Sequence, residues 1–324
     1  MTNICIVGLG SIAPVHISAV NNCKNAKLYG ICDIDVSKKQ TCEAEYGAKF
    51  YSDFDEMLKD ENIDAVHICT PHYLHFEMTK KALKSGKKVV CEKPAVMTGE
   101  ELDKLKNLER VNEVCFVVQN RLNKSVEKLK EIAESKKLGK IIGVKGILTW
   151  CRTKEYYTSS DWKGKFKTEG GGVLINQAVH VLDLMKYLVG DIKSVKANAM
   201  NYSLDEYIEV EDTFSAYLKF ENGITGVFFA TNANKANDDF HISITFENGT
   251  ADYAFGKLFI NGEEICENEE GAIGKKHWGS GHDMLIGNFY DGNTYFDFES
   301  IENTHKAMFS MYESAKNNGK EVYI

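Results

Sequence analysis

Three groups of residues in this 324-residue chain have the types and spacing to do chemistry. The first is Gly8-Leu9-Gly10-Ser11-Ile12-Ala13, which follows an apolar run and opens a helical one. In that context a G-x-G-x-x-G/A turn lets backbone N–H groups reach a pyrophosphate, held by the partial positive charge of a helix N-terminus. A plain glycine turn is the alternative. The next apolar run, Leu28 to Cys32, ends in Asp33, where such folds place the carboxylate that binds the adenosine ribose hydroxyls. Gly8, Gly10, Ser11, Ile12 and Asp33 are therefore candidate cofactor contacts; an Asp that only caps a turn is the competing account of Asp33. Unit charges near 4 Å interact by about 4 kcal/mol at an effective dielectric of about 20, so this carboxylate would repel a 2′-phosphate and favour NAD over NADP. The following residues, Ile34 to Ser37, offer such a phosphate no cation.

The second group is marked by proline. Pro14, Pro71 and Pro94 are the only prolines, and each lies in the glycine turn or just after an expected strand. Open α/β sheets bind ligands beyond the carboxyl ends of their strands, so Thr70-Pro71-His72-Tyr73-Leu74-His75 and Glu92-Lys93-Pro94 should line one crevice. Pro94 also restricts the residue before it and so fixes how Lys93 is aimed; a cis bond there is possible and is not legible locally. The third group is a helix expected from about Val173 to Val189. Leu174, Ala178, Val181, Leu182, Met185 and Leu188 form its apolar stripe, while Asn176, His180, Asp183 and Tyr187 recur on another face. That polar face either meets a ligand or is simply solvated. Gly170-Gly171-Gly172, just ahead, permits a close backbone approach or a tight packing junction.

Elements able to hold these groups follow from periodicity. Over residues 1–120, short apolar runs near Asn3–Val7, Lys27–Cys32, Ile63–Thr70, Lys88–Cys91 and Cys115–Val118 alternate with helical patterns, which predicts a parallel sheet with helices on its faces. Ser37 with Gln40, and Thr98 with Glu101, have the spacing of helix-starting capping boxes. After Arg121 come a helix near Ser125–Ser135, an alternating run Ile141–Trp150, the helix above, and strand-like runs 194–199, 212–220, 223–230, 241–246 and 250–255 joined by turns such as Asn222-Gly223 and Asn248-Gly249. These read as an antiparallel meander, closed by a helix over 300–318. The expected fold is an α/β Rossmann domain with a parallel sheet (1–120) plus an α+β domain with a large open, mostly antiparallel sheet (121–324).

The glycine turn, Thr70-Pro71-x-x-x-His75, Glu92-Lys93-Pro94, Gln119-Asn120-Arg121, Asp161-Trp162-Lys163 and the run Gly170 to Asp183 together resemble the glucose-fructose oxidoreductase and inositol dehydrogenase (Gfo/Idh/MocA) family. The resemblance implies an NAD-dependent oxidoreductase that moves a hydride between nicotinamide and a secondary alcohol of a sugar, cyclitol or related polyhydroxylated compound. It places Thr70, Pro71, His75, Glu92, Lys93, Gln119, Trp162 and Lys163 at the cofactor. His180 is then the candidate base, since an imidazole with an ordinary pKa near 6.5 suits proton exchange at neutrality, and Lys93 stabilises the reacting oxygen electrostatically. Asn176 stands where one common family pattern resembles an Asp; asparagine orients a hydroxyl or an imidazole and cannot stabilise an imidazolium by charge. Two other functions compete: a non-catalytic dinucleotide-binding regulator, and an enzyme that uses tightly bound NAD for internal redox in lyase or hydrolase chemistry. Members of the first kind typically lose the lysine or the histidine, and both are present here.

Composition narrows the partners. The chain is 43% hydrophobic and 27% charged, and no apolar stretch reaches the roughly 18 residues of a membrane span. Met1 to Val7 reads as a strand and not as a signal peptide, which points to the cytoplasm. Nine cysteines without a CxxC pair argue against disulfides and zinc, and a net charge of −8 argues against nucleic acid. His16, His67, His72, His241, His277, His282 and His305 show no ligand spacing and read as structural or surface histidines, so no metal is expected. Trp278 and His282 either border a substrate pocket from a loop or pack at its tip. Tyr156 and Tyr157 read as packing residues. The open face of the second sheet suggests a homodimer or homotetramer.

Overall fold

Apolar runs buried on both faces build the first sheet, as parallel strands covered by helices require. β1 (Thr2–Val7), β2 (Ala26–Cys32), β3 (Lys49–Tyr51), β4 (Ala65–Ile68), β5 (Lys88–Cys91) and β6 (Val114–Phe116) are all parallel, in the order β3-β2-β1-β4-β5-β6. The order reverses between β1 and β4, which creates the switch-point crevice where ligands bind in such sheets. This computed structural model describes residues 1–271, 273, 278–293 and 295–324; the expectation for His277 lies outside them.

The chain divides into two units. The first comprises Met1–Val96, Glu100–Gln119 and Glu270–Ser300, so helix Gly281–Asp291 folds with the first sheet and packs on helix Ala13–Asn22. The three-residue β3 carries no alternation and was not foreseen. Ser37 does not open a capping box: the Asp35 carboxylate accepts from Ser37 N at 3.0 Å and caps the 3₁₀ turn Val36–Lys38, from which helix Lys39–Tyr46 continues. Helix Gly99–Lys106 does begin directly after Thr98.

The second unit comprises Met97–Gly99, Asn120–Glu269 and Ile301–Ile324. Its nine-stranded sheet runs β14-β13-β12-β11-β7-β10-β9-β8-β15. The strands are β7 (Ile141–Thr149), β8 (Ile192–Met200), β9 (Thr213–Phe220), β10 (Thr225–Thr231), β11 (Asp239–Phe246), β12 (Gly249–Ala254), β13 (Lys257–Ile260), β14 (Glu263–Glu267) and β15 (Val322–Tyr323). The expected meander is interrupted: β7 lies between β10 and β11 and pairs with β10 in parallel, Gly143 opposite Thr225 through Thr149 opposite Thr231. Alternation tells which face a residue takes and nothing about which strand lies beside it.

One face of this sheet holds the core, where Leu148, Phe214, Leu218, Phe228, Ile242 and Ile244 meet Leu182, Met185, Met308 and Met311. Two glycines set the helix's height above the sheet. A Cβ at Gly146 would stand 2.5 Å from the Met185 sulfur, and one at Gly226 would stand 2.7 Å from Val144 Cγ1. The other face leaves Tyr217, Val227 and Phe229 exposed. Among the described residues no helix is long and apolar enough to cross a membrane.

Candidate functional site

In the first unit, the glycine turn is built as its residue types require. Gly8 has φ +90°, and a Cβ there would come within 2.9 Å of Cys69 O, so a side chain is excluded by conformation and by space. Gly10 faces no atom within 4 Å, which leaves its backbone open to a ligand. Helix Ala13–Asn22 has no side-chain cap, no acidic residue in its first turn, and Pro14 near its start. An N-terminus left in this state presents positive potential that suits a pyrophosphate.

Asp33, 9% exposed, closes β2. Its Oδ2 accepts from Leu9 N (2.7 Å) and from the Lys38 ammonium (2.8 Å), and its Oδ1 accepts from Asp35 N (2.8 Å). The cation that Ile34 to Ser37 lack stands at the next position. Lys38 brings a cation to Asp33 by way of the 3₁₀ turn, and it also donates to Leu9 O at 3.2 Å. The carboxylate is thus held rigidly beside the glycine turn, and its repulsion of a 2′-phosphate is partly neutralised.

His75 is 1% exposed and lies between the two proline segments. Its Nδ1 stands 2.7 Å from Pro94 O and its Nε2 2.8 Å from Thr70 O, so both ring nitrogens are engaged with backbone. Burial lowers its pKa, although both carbonyls favour the protonated ring. His75 therefore ties the Thr70-Pro71 segment to Lys93-Pro94, whose peptide bond is cis. Thr70 Oγ1 contacts Met78 sulfur at 3.6 Å. Gln119 is buried, with an Oε1 that has no hydrogen-bond partner among the described residues.

Glu92 is the hub of a buried polar cluster that sequence reasoning did not foresee. His16 Nε2 is 2.9 Å from Glu92 Oε1, and His282 Nε2 is 3.6 Å from the same oxygen. His16 Nδ1 meets His67 Nδ1 at 2.9 Å, and His67 Nε2 meets Tyr290 Oη at 2.8 Å, the last two rings stacked at 3°. Burial works against the Glu92 charge, but hydrogen bonds from His16 and His282 hold its pKa well below the usual carboxylate value. Burial also holds His16 and His67 below the ordinary imidazole value, that is, neutral. The nitrogens and oxygen of His16, Glu92 and His282 lie within 4.8 Å of one another, and the 2.9 Å His16–Glu92 contact is a hydrogen bond. His282 is thus neither on a loop nor at its tip; it sits in the first turn of helix Gly281–Asp291, 4% exposed, with Trp278 6.1 Å away, ring to ring.

In the second unit, the expected single helix is two pieces. Leu174–Ala178 is a π-helical turn and Val179–Val189 an α-helix. The wider turn breaks the regular spacing of Asn176, His180, Asp183 and Tyr187, whereas the apolar stripe from Leu174 to Leu188 is buried as expected. Part of that polar face is occupied by protein. Asp183 takes a bidentate pair of bonds from Arg121 (2.8 and 2.5 Å) and one from Thr304 Oγ1 (3.0 Å), and the Arg121 guanidinium lies 5.1 Å over the Tyr187 ring. Asn176 Nδ2 donates to Glu169 Oε1 at 2.5 Å, while Glu169 Oε2 accepts from Gly164 N. A carboxylate absent at position 176 therefore stands one hydrogen bond away.

The triple glycine serves packing. Gly170 has φ +89°, a Cβ on Gly171 would collide with Tyr312 Oη, and a Cβ on Gly172 would lie 1.8 Å from Glu211 O. The Glu211 side chain accepts from Gly172 N (2.9 Å), Leu174 N (3.1 Å) and Tyr312 Oη (2.9 Å), and burial pushes its pKa up to about 7.

Lys163 Nζ sits 4.0 Å over the Tyr156 ring, and the Arg152 guanidinium is 5.0 Å from the same ring. Burial lowers the Lys163 pKa; Glu169 opposes the effect and Arg152 adds to it. Gln177 joins Tyr156 Oη (3.2 Å) to Asn232 Nδ2 (2.9 Å), and Trp162 O accepts from Thr168. Tyr156, set aside in the sequence as packing, is thus the centre of a cationic, amide-lined patch; nothing in local spacing marks Arg152, Gln177 and Asn232 as its neighbours.

A parallel sheet with strand order 3-2-1-4-5-6, an open glycine turn and a carboxylate closing β2 define a dinucleotide-binding fold. The description "Oxidoreductase family, NAD-binding Rossmann fold" matches residues 2–120, and "GFO/IDH/MocA C-terminal domain" matches residues 126–252. The chain belongs to the GFO/IDH/MocA family of NAD-binding oxidoreductases. It is 30% identical over 243 residues to D-glucoside 3-dehydrogenase of Escherichia coli, covering 68% of this chain and 67% of that one. It is 27% identical over 231 residues to myo-inositol 2-dehydrogenase of Thermotoga maritima, covering 68% and 66%. Among solved structures, the WlbA dehydrogenase of Bordetella pertussis in complex with NADH and UDP-GlcNAcA superposes with a TM-score of 0.89 at 27% identity, over 100% of this chain and 97% of that one.

Proposed function

We propose that the protein is an NAD-dependent dehydrogenase acting on a secondary alcohol of a sugar, cyclitol or related polyhydroxylated compound. The observation that carries this is the dinucleotide cradle: the close-packed Gly8, the open Gly10 and the Asp33 carboxylate fixed by Leu9 N. The relatives named above, dehydrogenases of glucosides and inositol, support the substrate class. Gly8, Gly10, Ser11 and Ile12 would hold the pyrophosphate and Asp33 a ribose hydroxyl; Thr70, Pro71, Gln119, Trp162 and Lys163 complete the cofactor contacts. His75 and Glu92 act from behind, through the backbone of the proline segments. When bound, NAD supplies the hydride acceptor.

His180 takes the hydroxyl proton as hydride leaves carbon, and the Lys93 ammonium stabilises the alkoxide character that develops on oxygen. Asn176, oriented by Glu169, positions the reacting hydroxyl. The exposed face of the second sheet, with Tyr217, Val227 and Phe229, supports a homodimer or homotetramer, and we place the protein in the cytoplasm. The test is NADH formation, read at 340 nm, across a panel of polyols, sugars and acidic sugars. Lys93→Ala and His180→Ala should abolish turnover while NAD still binds; full turnover by either variant removes that residue from the mechanism.

A further inference from the structure

Two buried histidines, a glutamate and a tyrosine of the first unit, drawn from helix Ala13–Asn22, β4, helix Gly281–Asp291 and the end of β5, form one continuous hydrogen-bonded chain whose proton positions are determined by its ends. A carboxylate only accepts, so His16 donates to Glu92 from Nε2. A neutral His16 then accepts at Nδ1, which obliges His67 to donate from its own Nδ1. His67 in turn accepts at Nε2 from the Tyr290 hydroxyl. Every ring nitrogen is used once, and the only arrangement of neutral imidazoles that satisfies all the contacts runs Tyr290 → His67 → His16 → Glu92. The buried His16 and His67 are both held neutral, as this pattern needs, while Tyr290 is partly exposed.

We propose that Tyr290, His67 and His16 form a proton path linking the Glu92 carboxylate, the residue before Lys93, to solvent. The path has two states that differ by one proton on Glu92. In the charging step the His16 Nε2–H bond breaks as a Glu92 O–H bond forms. The His67 Nδ1–H bond breaks as His16 Nδ1–H forms, the Tyr290 O–H bond breaks as His67 Nε2–H forms, and a hydronium ion from solvent returns a proton to the Tyr290 oxygen, leaving water. The reverse shift carries a proton out. No electron pair changes owner beyond these exchanges, and no redox partner is required. The use of the path rests on the hydride-transfer reading: alcohol oxidation releases a proton and carbonyl reduction consumes one, and Glu92 exchanges it with bulk solvent while the reaction itself is shielded from water.

Two measurements test the path. In protein labelled with ¹⁵N-histidine and assigned by single replacement, His67 should show the less common Nδ1–H tautomer and His16 the Nε2–H tautomer. An Nε2–H tautomer on both, or a stoichiometric metal ion bound to the purified protein with His16 Nε2 unprotonated, overturns the proposal. In turnover, Tyr290→Phe keeps the stacked ring and removes the hydroxyl. It should lower kcat about tenfold at unchanged KM for NAD, and added imidazole should restore part of the loss. A kcat equal to the wild-type value, or a loss that imidazole leaves untouched, overturns the path. If the wild-type protein oxidises nothing in the panel, the dehydrogenase reading fails, while the histidine tautomers still decide whether the chain of hydrogen bonds exists.

Discussion

Glu211 is the residue at which two opposing effects can be separated by measurement. Three donors, Gly172 N, Leu174 N and Tyr312 Oη, converge on its side chain at 2.9 to 3.1 Å, which favours the carboxylate. Burial favours the acid and prevails, raising the pKa from 4.5 to about 7. Each pKa unit corresponds to about 1.4 kcal/mol, so the shift amounts to about 3 kcal/mol. The folded-state value is the raised one. The associated stability is therefore fully present below the ordinary value of 4.5 and is lost as pH rises through about 7. Glu211→Gln removes the titration and leaves an amide close in shape to the protonated acid. Urea unfolding of both proteins between pH 5 and pH 8.5, followed on the transition of the second unit, should show the variant gaining on the wild type by about 3 kcal/mol over that range. A difference independent of pH would mean that the three donors hold Glu211 ionised at neutrality, and that burial does not govern this site.

Glycine replacements should separate structure from binding. Gly172→Ala puts a methyl 1.8 Å from Glu211 O and should destabilise the second unit by more than about 3 kcal/mol in urea titrations. Gly10→Ala meets nothing within 4 Å, so its melting temperature should stay near the wild-type value while NAD affinity, measured calorimetrically, falls at least about tenfold. Asp33→Ala leaves the Lys38 ammonium without its 2.8 Å partner, and the ratio of kcat/KM for NADP to that for NAD should rise by about two orders of magnitude. The double variant with Lys38→Ala should give back most of that gain in steady-state kinetics. Arg121→Ala strands a buried Asp183 carboxylate that had a bidentate partner, at a cost of about 3–5 kcal/mol in chemical denaturation.

What the sequence made legible was whatever a short window can encode. The strands of the first sheet are apolar runs, and the glycine turn with Asp33 is a motif whose meaning depends on a strand before it and a helix after it; both contexts are present. β3, three residues long, and β15, two residues long, have too few positions to show a period. The π turn at Leu174–Ala178 escaped for a different reason. An extra residue per turn shifts the faces slightly, and the apolar stripe remains buried on either side of it, so the hydrophobic pattern fits both descriptions. The consequence falls on the polar positions, where Asp183 turns out to serve Arg121 and Asn176 to serve Glu169.

Long-range pairing was not legible at all, and it decides the chemistry of the first unit. The parallel registration of β10 on β7 joins segments about 80 residues apart in sequence and is a property of the assembled sheet. The same holds for the histidines. His16, His67 and His282 have no ligand spacing along the chain, yet the order of β1, β4 and β5 brings His67 and Glu92 to neighbouring strand ends, with His16 on the helix that follows the glycine turn. A buried carboxylate has to be satisfied by donors, and a buried neutral imidazole that donates from one nitrogen leaves the other as an acceptor that needs a donor in turn. That requirement carries the chain of hydrogen bonds outward from Glu92 to the hydroxyl of Tyr290, a partly exposed residue. Replacing His67 by Phe would therefore be felt at Glu92, two contacts away, and not only at the cavity it creates.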